Sequence, residues 1–239
     1  MSTLSPEMTV GEIAARMPAS ARVLEQFGID FCCGGQAPFS QACQARSLDP
    51  AAVLAEIERS AGSSITPAPD WQSASLSGLI DHIVNKHHAY LKTELPRLEN
   101  MLEKIIAKHS ERHGDVLMAL ADTFRPMHEE LDAHLMKEEH ILFPLIRSLE
   151  SAPGRDARFS HCGSVQNPIR VMVMEHDSAG EALARLRNIT AGYTPPADAC
   201  NTFRAFYYEL DELEHDLHQH IHLENNILFP RAVELEASR

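Results

Sequence analysis

The 239-residue chain has no apolar run approaching the length needed to cross a bilayer, and no basic stretch followed by an apolar one between Met1 and Arg16. Neither a membrane span nor a secretory leader is expected, and the expected location is the cytoplasm. Basic residues are in short supply: 21 Lys and Arg face 34 Asp and Glu, for a formal charge of −13. Such a surface repels phosphate backbones and anionic headgroups, so nucleic acid and membrane surfaces are not expected partners. The five cysteines are an odd number and two of them, Cys32 and Cys33, are neighbours. That is poor material for a disulfide framework, and reduced thiols are expected. Few runs carry a strand pattern. Histidine, by contrast, is abundant, with 14 residues in a chain whose 44% apolar content is ample for a folded core.

Turn signals at residues 61–75, notably Thr66-Pro67-Ala68-Pro69-Asp70, divide the chain. Residues 1–62 read as a small helical module, 63–75 as a linker and 76–239 as a second domain. In the module, helices are expected over Val10 to Met17, Ser20 to Phe27 and Pro50 to Ala61, the last with Asp49 as N-cap and Pro50 at its first position. Beyond the linker, 3.6-residue periodicity covers Leu76 to His109, Asp115 to Glu150, Asn167 to Ala191 and Asp198 to Glu236. Gly114, the Ser151 to Gly163 stretch and Gly192 to Pro196 separate these segments. The pattern predicts an all-α protein with an up-down four-helix bundle. Kinks or early helix ends are expected at Pro96, Pro126, Pro144 and Pro230.

The bundle contains an internal repeat. Residues 134–144, His-Leu-Met-Lys-Glu-Glu-His-Ile-Leu-Phe-Pro, align without gaps on 220–230, His-Ile-His-Leu-Glu-Asn-Asn-Ile-Leu-Phe-Pro, and share six of eleven positions. The other two segments correspond through His88 and His176, each followed by Leu seven and ten residues later. Two helix pairs with the order His, then His-x-x-x-Glu, imply a pseudo-two-fold arrangement.

The polar residues of the repeat interrupt apolar seams. The second segment runs Leu117, Leu120, Phe124, Met127, Leu131, His134, Glu138, Ile141, Leu145, and the fourth Leu210, Leu213, Leu217, His220, Glu224, Ile227, Arg231 with Leu228 beside it. Val84, His88, Leu91, Leu95, Leu98 and Leu102 are in register in the first, as are Ile169, Val173, His176, Leu183 and Leu186 in the third. An ionised carboxylate in an apolar seam costs several kcal/mol, a heavy burden on a fold stable by about 5–15 kcal/mol. A cation shared with imidazoles four residues away offsets it. Four imidazoles and two carboxylates without a seam cysteine speak against a closed structural zinc site and for iron or manganese. If Glu138 and Glu224 each bridge two ions and each ion takes two histidines, protein supplies four of roughly six positions per ion. An oxo or hydroxo bridge and a small exogenous ligand complete the set.

Glu130, Glu175 and Asp216, close to the ligands, are candidates for orienting imidazoles or relaying protons, or else lie on solvated helix surface. His87 reads as a packed or solvated histidine rather than a ligand. His82, His109, His113, His128, His140, His161, His215, His218 and His222 read as surface residues, although His218 and His222 have a spacing open to adventitious metal. In the module, Asp30-Phe31-Cys32-Cys33-Gly34-Gly35 sets two thiols before a glycine pair, fit for receiving iron or nitric oxide or for disulfide exchange, or else simply packed in a turn. Cys43, Cys162 and Cys200 read as structural.

The Cys-Cys-Gly-Gly motif, His-x-x-x-Glu-Glu-x-Ile-Leu-Phe-Pro and Leu-Glu-Asn-Asn-x-Leu-Phe-Pro together make the chain resemble the hemerythrin-like di-iron proteins of iron-sulfur cluster repair, the YtfE/ScdA/NorA group, over nearly its whole length. The resemblance implies a hemerythrin-like bundle holding two non-haem iron ions, oxo- or hydroxo-bridged, on His88, His134, Glu138, His176, His220 and Glu224. It implies repair of iron-sulfur clusters damaged by nitrosative or oxidative stress, by iron delivery or nitric oxide binding, with damaged iron-sulfur proteins as clients and a homodimer as the assembly. It also implies acids like Glu130 and Glu175 near the metal path, and a part for Cys32 and Cys33 in dimerisation or in handling iron and nitrosyl groups. Four rather than five histidine ligands disfavour reversible oxygen transport. The alternatives are a nitric oxide scavenger or reductase, and an iron or oxygen sensor.

Overall fold

The computed structural model describes residues 4–63, 69–151 and 163–238; residues 152–162, His161 and Cys162 among them, and part of the expected linker lie outside them. Every regular element among the described residues is helical, apart from a single antiparallel bridge between Thr9 and Pro38. The chain forms two compact units, one from residues 1–80, 146–158 and 218–239 and the other from 81–145 and 159–217. The division by compactness therefore cuts across the division read from sequence.

The first unit starts with four helices, α1 (Val10–Arg16), α2 (Ser20–Gln26), α3 (Phe39–Ala45) and α4 (Pro50–Ser63). Helix α1 opens with a capping box. The Glu12 amide donates to Thr9 Oγ1 at 3.2 Å, and the Thr9 amide donates to the Glu12 carboxylate at 2.9 Å. Asp49 caps α4 through the Ala51 amide, 3.1 Å away. Helix α3 escapes sequence reading because it buries only Phe39 and Cys43, too few apolar positions to show a helical stripe. These helices close over Val10, Ile13, Leu24, Phe31, Phe39, Val53 and Ile57, all 3% exposed or less. Residues 69–75 are tied down: Arg231 donates to the carbonyls of Trp71 and Ala74 at 2.8 and 2.6 Å. The Glu150 carboxylate accepts from the Leu76 and Ser77 amides at 2.7 and 2.9 Å, a side-chain cap supplied from 74 residues away in sequence.

The second unit is built on long helices. After α5 (Leu76–His82), the helix α6 (Ala89–Lys137) keeps helical dihedrals except at His113 (φ −124°, ψ 19°), where it folds into two arms beside the expected break at Gly114. Pro96 and Pro126 both sit inside α6, so neither brings the early helix end that was one of the two expectations there. The arms share a core with α8 (Gln166–Ile189) and α9 (Asn201–Leu223), through Leu91, Leu95, Leu98, Leu117, Phe124, Leu183, Leu186, Phe206 and Leu213. Four helical arms around one core form the expected bundle. Helix α8 stops where Ala191, Gly192 and Tyr193 all take positive φ, a reversal that glycine at the centre eases.

The helices widen into π turns at three places: Ile83–His88, Glu138–Leu142 before α7 (Phe143–Ser151), and Glu224–Leu228 before α10 (Phe229–Ala237). The Phe143 and Phe229 amides reach back five residues, to the carbonyls of Glu138 and Glu224. One extra residue per turn rotates everything beyond it by about 100°. This corrects the seams read at constant helical pitch. Ile141, expected inside, is 49% exposed, while Leu142, Ile146 and Leu149 are 1% or less. In the first segment Ile83 replaces Val84 in the core, and Arg231, expected on the fourth seam, is only half-buried and serves the 69–75 turn. In the third, Met172 is buried and Val173 only partly so.

Asn226 lies against Gly11 and Gly35: a Cβ at Gly11 meets its Oδ1 at 2.2 Å, and one at Gly35 meets it at 2.6 Å. The Asn226 amide is held by the Phe31 carbonyl at 2.9 Å, so it cannot swing aside freely. Glycine to alanine inside a helix normally gains about 1 kcal/mol. At Gly11 the overlap outweighs that gain, and Gly11→Ala is expected to destabilise the protein by about 1–3 kcal/mol. A thermal melt checks this, with partial recovery expected in the Gly11→Ala/Asn226→Ala double variant.

Candidate metal centre

The second unit brings His88, His134, Glu138 and His176 together. Glu138, with no solvent exposure, points Oε2 at His88 Nε2 (3.4 Å) and Oε1 at His134 Nε2 (3.3 Å). The Nε2 atoms of His134 and His176 are 3.1 Å apart, a separation that two imidazole nitrogens tolerate when they share a proton or a cation. On the last helix His220 Nε2 stands 3.2 Å from Glu224 Oε1, the i, i+4 geometry of the repeat, and Glu224 too is fully buried. Donor atoms of His88, Glu138, His220 and Glu224 lie within 4.8 Å of one another, and so do those of His134, Glu138, His176 and Glu224. Both glutamates belong to both groups.

Two carboxylates and four imidazoles, each 2% exposed or less, form a donor set that fits a divalent transition metal. Nitrogen and oxygen donors without thiolate match the hard-to-intermediate character of iron, and two of the three π turns begin on Glu138 and Glu224 while the third ends on His88.

Behind the ligands stand further acids. His134 Nδ1 meets Glu175 Oε2 at 2.8 Å, and Lys137 pairs with the other Glu175 oxygen. His88 Nδ1 meets Glu139 Oε1 at 2.8 Å, with Lys92 on the same carboxylate at 2.6 and 2.8 Å. Burial works to raise the pKa of both carboxyls, but the lysine and imidazole beside each outweigh it and hold them below the usual range. Each therefore stays an anion that fixes its histidine with Nε2 turned to the ligand cluster. Glu139 was missed in the sequence because only its neighbour Glu138 fits the repeat; Lys92, four residues after His88, was the available signal.

The structure does not bring Glu130 to the cluster. It is exposed and accepts from Ser178 at 3.3 Å. Asp216, expected near His220, instead meets His87 Nδ1 at 2.9 Å, and His87 is fully buried rather than solvated. Two histidines expected on the surface are also buried: His128, bonded to Glu99 at 2.8 Å, and His222, packed edge-on against Phe31 at 5.4 Å. Burial pushes the His222 pKa down to about 4, so it is neutral. Cys32 and Cys33 occupy a turn of the first unit, with Asp30 accepting from both of their amides at 2.9 and 3.0 Å.

Replacing either outer acid by its amide removes an anion from behind an imidazole, and Glu139→Gln or Glu175→Gln is expected to weaken metal affinity about 10–100-fold. Glu130→Gln is expected to leave it unchanged. Competition titration against a chelator of known affinity reads all three.

Residues 79–232 match the hemerythrin HHE cation binding domain, and residues 6–61 match a domain of unknown function, DUF542. The chain is 40% identical to the iron-sulfur cluster repair protein YtfE of Musicola paradisiaca (strain Ech703), covering 97% of this chain and 98% of that protein. It is 39% identical to the YtfE protein of Dickeya chrysanthemi (strain Ech1591), over 95% and 97% of the two chains. With the YtfE protein of Escherichia coli O157:H7 it shares 37% identity, again over 95% and 97%. Buried histidines and glutamates in a helical bundle, preceded by the matching N-terminal domain, place this chain in the family of hemerythrin-like iron-sulfur cluster repair proteins.

Proposed function

We propose that the protein is a non-haem di-iron protein that supports repair of iron-sulfur clusters damaged by nitrosative or oxidative stress. The observation that carries the metal count is the sharing of Glu138 and Glu224 between two groups of donors, each completed by its own histidine pair, His88 with His220 and His134 with His176. One bridging carboxylate from each half of the repeat supports two ions rather than one. Two iron ions held there supply redox-active centres able to take a small ligand, nitric oxide in this reading. The protein's own part is to exclude water with the buried seam, to orient His88 and His134 through Glu139 and Glu175, and to keep those acids ionised through Lys92 and Lys137.

The repair role rests on the iron-sulfur cluster repair for which the relatives are named and on their near full-length match. Damaged iron-sulfur proteins as clients and a homodimer as the working assembly belong to the same reading. A cytoplasmic setting belongs to the same reading and agrees with Cys32, Cys43 and Cys200 being reduced. Among the described residues no helix is long and apolar enough to cross a membrane.

Glu138→Leu or Glu224→Leu exchanges a fully buried carboxylate for an apolar side chain of similar size, so helical content should persist while most iron is lost. Metal analysis beside circular dichroism tests this, and two irons retained in either variant would overturn the ligand assignment. The repair reading is tested separately, by recovery of activity in a nitric-oxide-damaged iron-sulfur enzyme on addition of the iron-loaded protein. Recovery is expected with the wild type and not with either variant.

A further inference from the structure

The thiol turn of the first unit is chemistry that the metal centre does not use. Its donor atoms, from Asp30, Cys32 and Cys33, lie within 4.8 Å of one another, which at first sight is a cation site. The hydrogen bonds speak otherwise. Asp30 Oδ1 accepts from the Cys32 and Cys33 amides at 2.9 and 3.0 Å and lies 3.3 Å from Cys32 Sγ, while Oδ2 accepts from the Gly34 amide at 2.9 Å. Moving this carboxylate onto a cation unmakes the turn that brings the sulfurs together. The turn is also fixed from outside, through Asn226 Nδ2 to the Phe31 carbonyl at 2.9 Å and the Phe31 ring against His218 and His222.

The two thiols are unequal. Cys32 is 4% exposed, with its sulfur directed at Asp30 and, at 3.7 Å, at the sulfur of Cys33. Cys33 is only half-buried. The hydrogen bond to Cys33, burial, and the charges of Cys33 and Asp30 raise the Cys32 pKa well above the ordinary thiol value, so Cys32 keeps its proton.

The geometry points to Cys33 as a nucleophile toward low-molecular-weight disulfides, with Cys32 the buried hydrogen-bond donor to its sulfur rather than a resolving thiol. In the exchange the Cys33 thiolate attacks one sulfur of the disulfide and a new S–S bond forms. The old S–S bond breaks, and the departing thiolate carries off the electron pair and takes a proton from water. Resolution by Cys32 is opposed twice. It closes a strained eight-membered ring across adjacent residues, and it requires removal of a proton that Asp30 and burial hold in place. Cys33 is thus a site of persistent mixed-disulfide formation.

The test uses the full-length protein with its metal content as isolated, oxidised glutathione as the probe, and peptide mapping by mass spectrometry. A glutathione adduct on Cys33, stable for hours without thiol reductant, is expected. Cys33→Ser should abolish that adduct, and Cys32→Ala should slow its formation about tenfold by removing the donor to the sulfur anion. Labelling of Cys32 before or equally with Cys33, labelling of Cys200 alone, or release of glutathione to give a Cys32–Cys33 disulfide overturns the proposal. The wild-type map decides the point even if a cysteine variant folds poorly.

Discussion

Glu138 and Glu224 have no solvent exposure, and the rest of the molecule is arranged around that burial. Stripping water from a carboxylate costs several kcal/mol even after the surroundings relax, and two in one cluster repel each other as well. A fold of ordinary stability tolerates them only if positive charge is shared between them. The nearest groups are imidazoles, His88 and His134 on Glu138 and His220 on Glu224, at 3.2–3.4 Å. The lysines of the neighbourhood are placed one layer out, on Glu139 and Glu175, where they neutralise the acids that steer the imidazoles. Charge therefore alternates outward, from ligand carboxylates through imidazoles to anchored acids and finally to lysines near the surface. A cation held by these carboxylates and imidazoles would complete that alternation.

The same burial explains the widened turns. In each repeat Ile-Leu-Phe-Pro follows the glutamate within three to six residues, and a helix of constant pitch keeps Ile and Leu on the glutamate's side but turns Phe away from it. A π turn starting at the glutamate inserts one residue, so that Leu142 and Phe143, and likewise Leu228 and Phe229, enter the core with the carboxylate. Proline follows at Pro144 and Pro230, where its missing amide leaves the backbone free to complete the shift. Pro96 and Pro126 show that proline alone does not cause it, since α6 passes both with helical dihedrals.

What the sequence made legible follows from what repeats at helical pitch. The all-helical bundle, its break near Gly114 and the six polar positions on apolar seams were readable, because seam spacing and the gapless repeat are properties of a regular helix. The register beyond Glu138 was not, because a 3.6-residue template has no place for an extra residue; Ile141 was put inside and lies half in solvent. Histidines off the seam were misjudged for a related reason. His128 and His222 are buried by partners distant in sequence, Glu99 and Phe31, which no local pattern announces. Helix α3 was invisible because it buries only Phe39 and Cys43, too few apolar positions to show a helical stripe, whereas the equally short and uncapped α2 buries four residues.

The repeat is most informative where it stops repeating. His134 and Glu138 match His220 and Glu224, but the two residues after each glutamate differ: Glu139-His140 in one copy, Asn225-Asn226 in the other. Glu139 turns to His88 and serves the electrostatics of the cluster. Asn226, four residues after His222, donates through Nδ2 to His222 Nδ1 at 3.0 Å and to the Phe31 carbonyl at 2.9 Å, while Asn225 donates to the Cys32 carbonyl at 3.4 Å. Carboxylates at 225 and 226 cannot donate to those carbonyls, and a Cβ at Gly11 or Gly35 collides with Asn226. One copy of the widened turn thus anchors the buried imidazole of His88, and the other fastens the thiol turn through the two residues that follow Glu224.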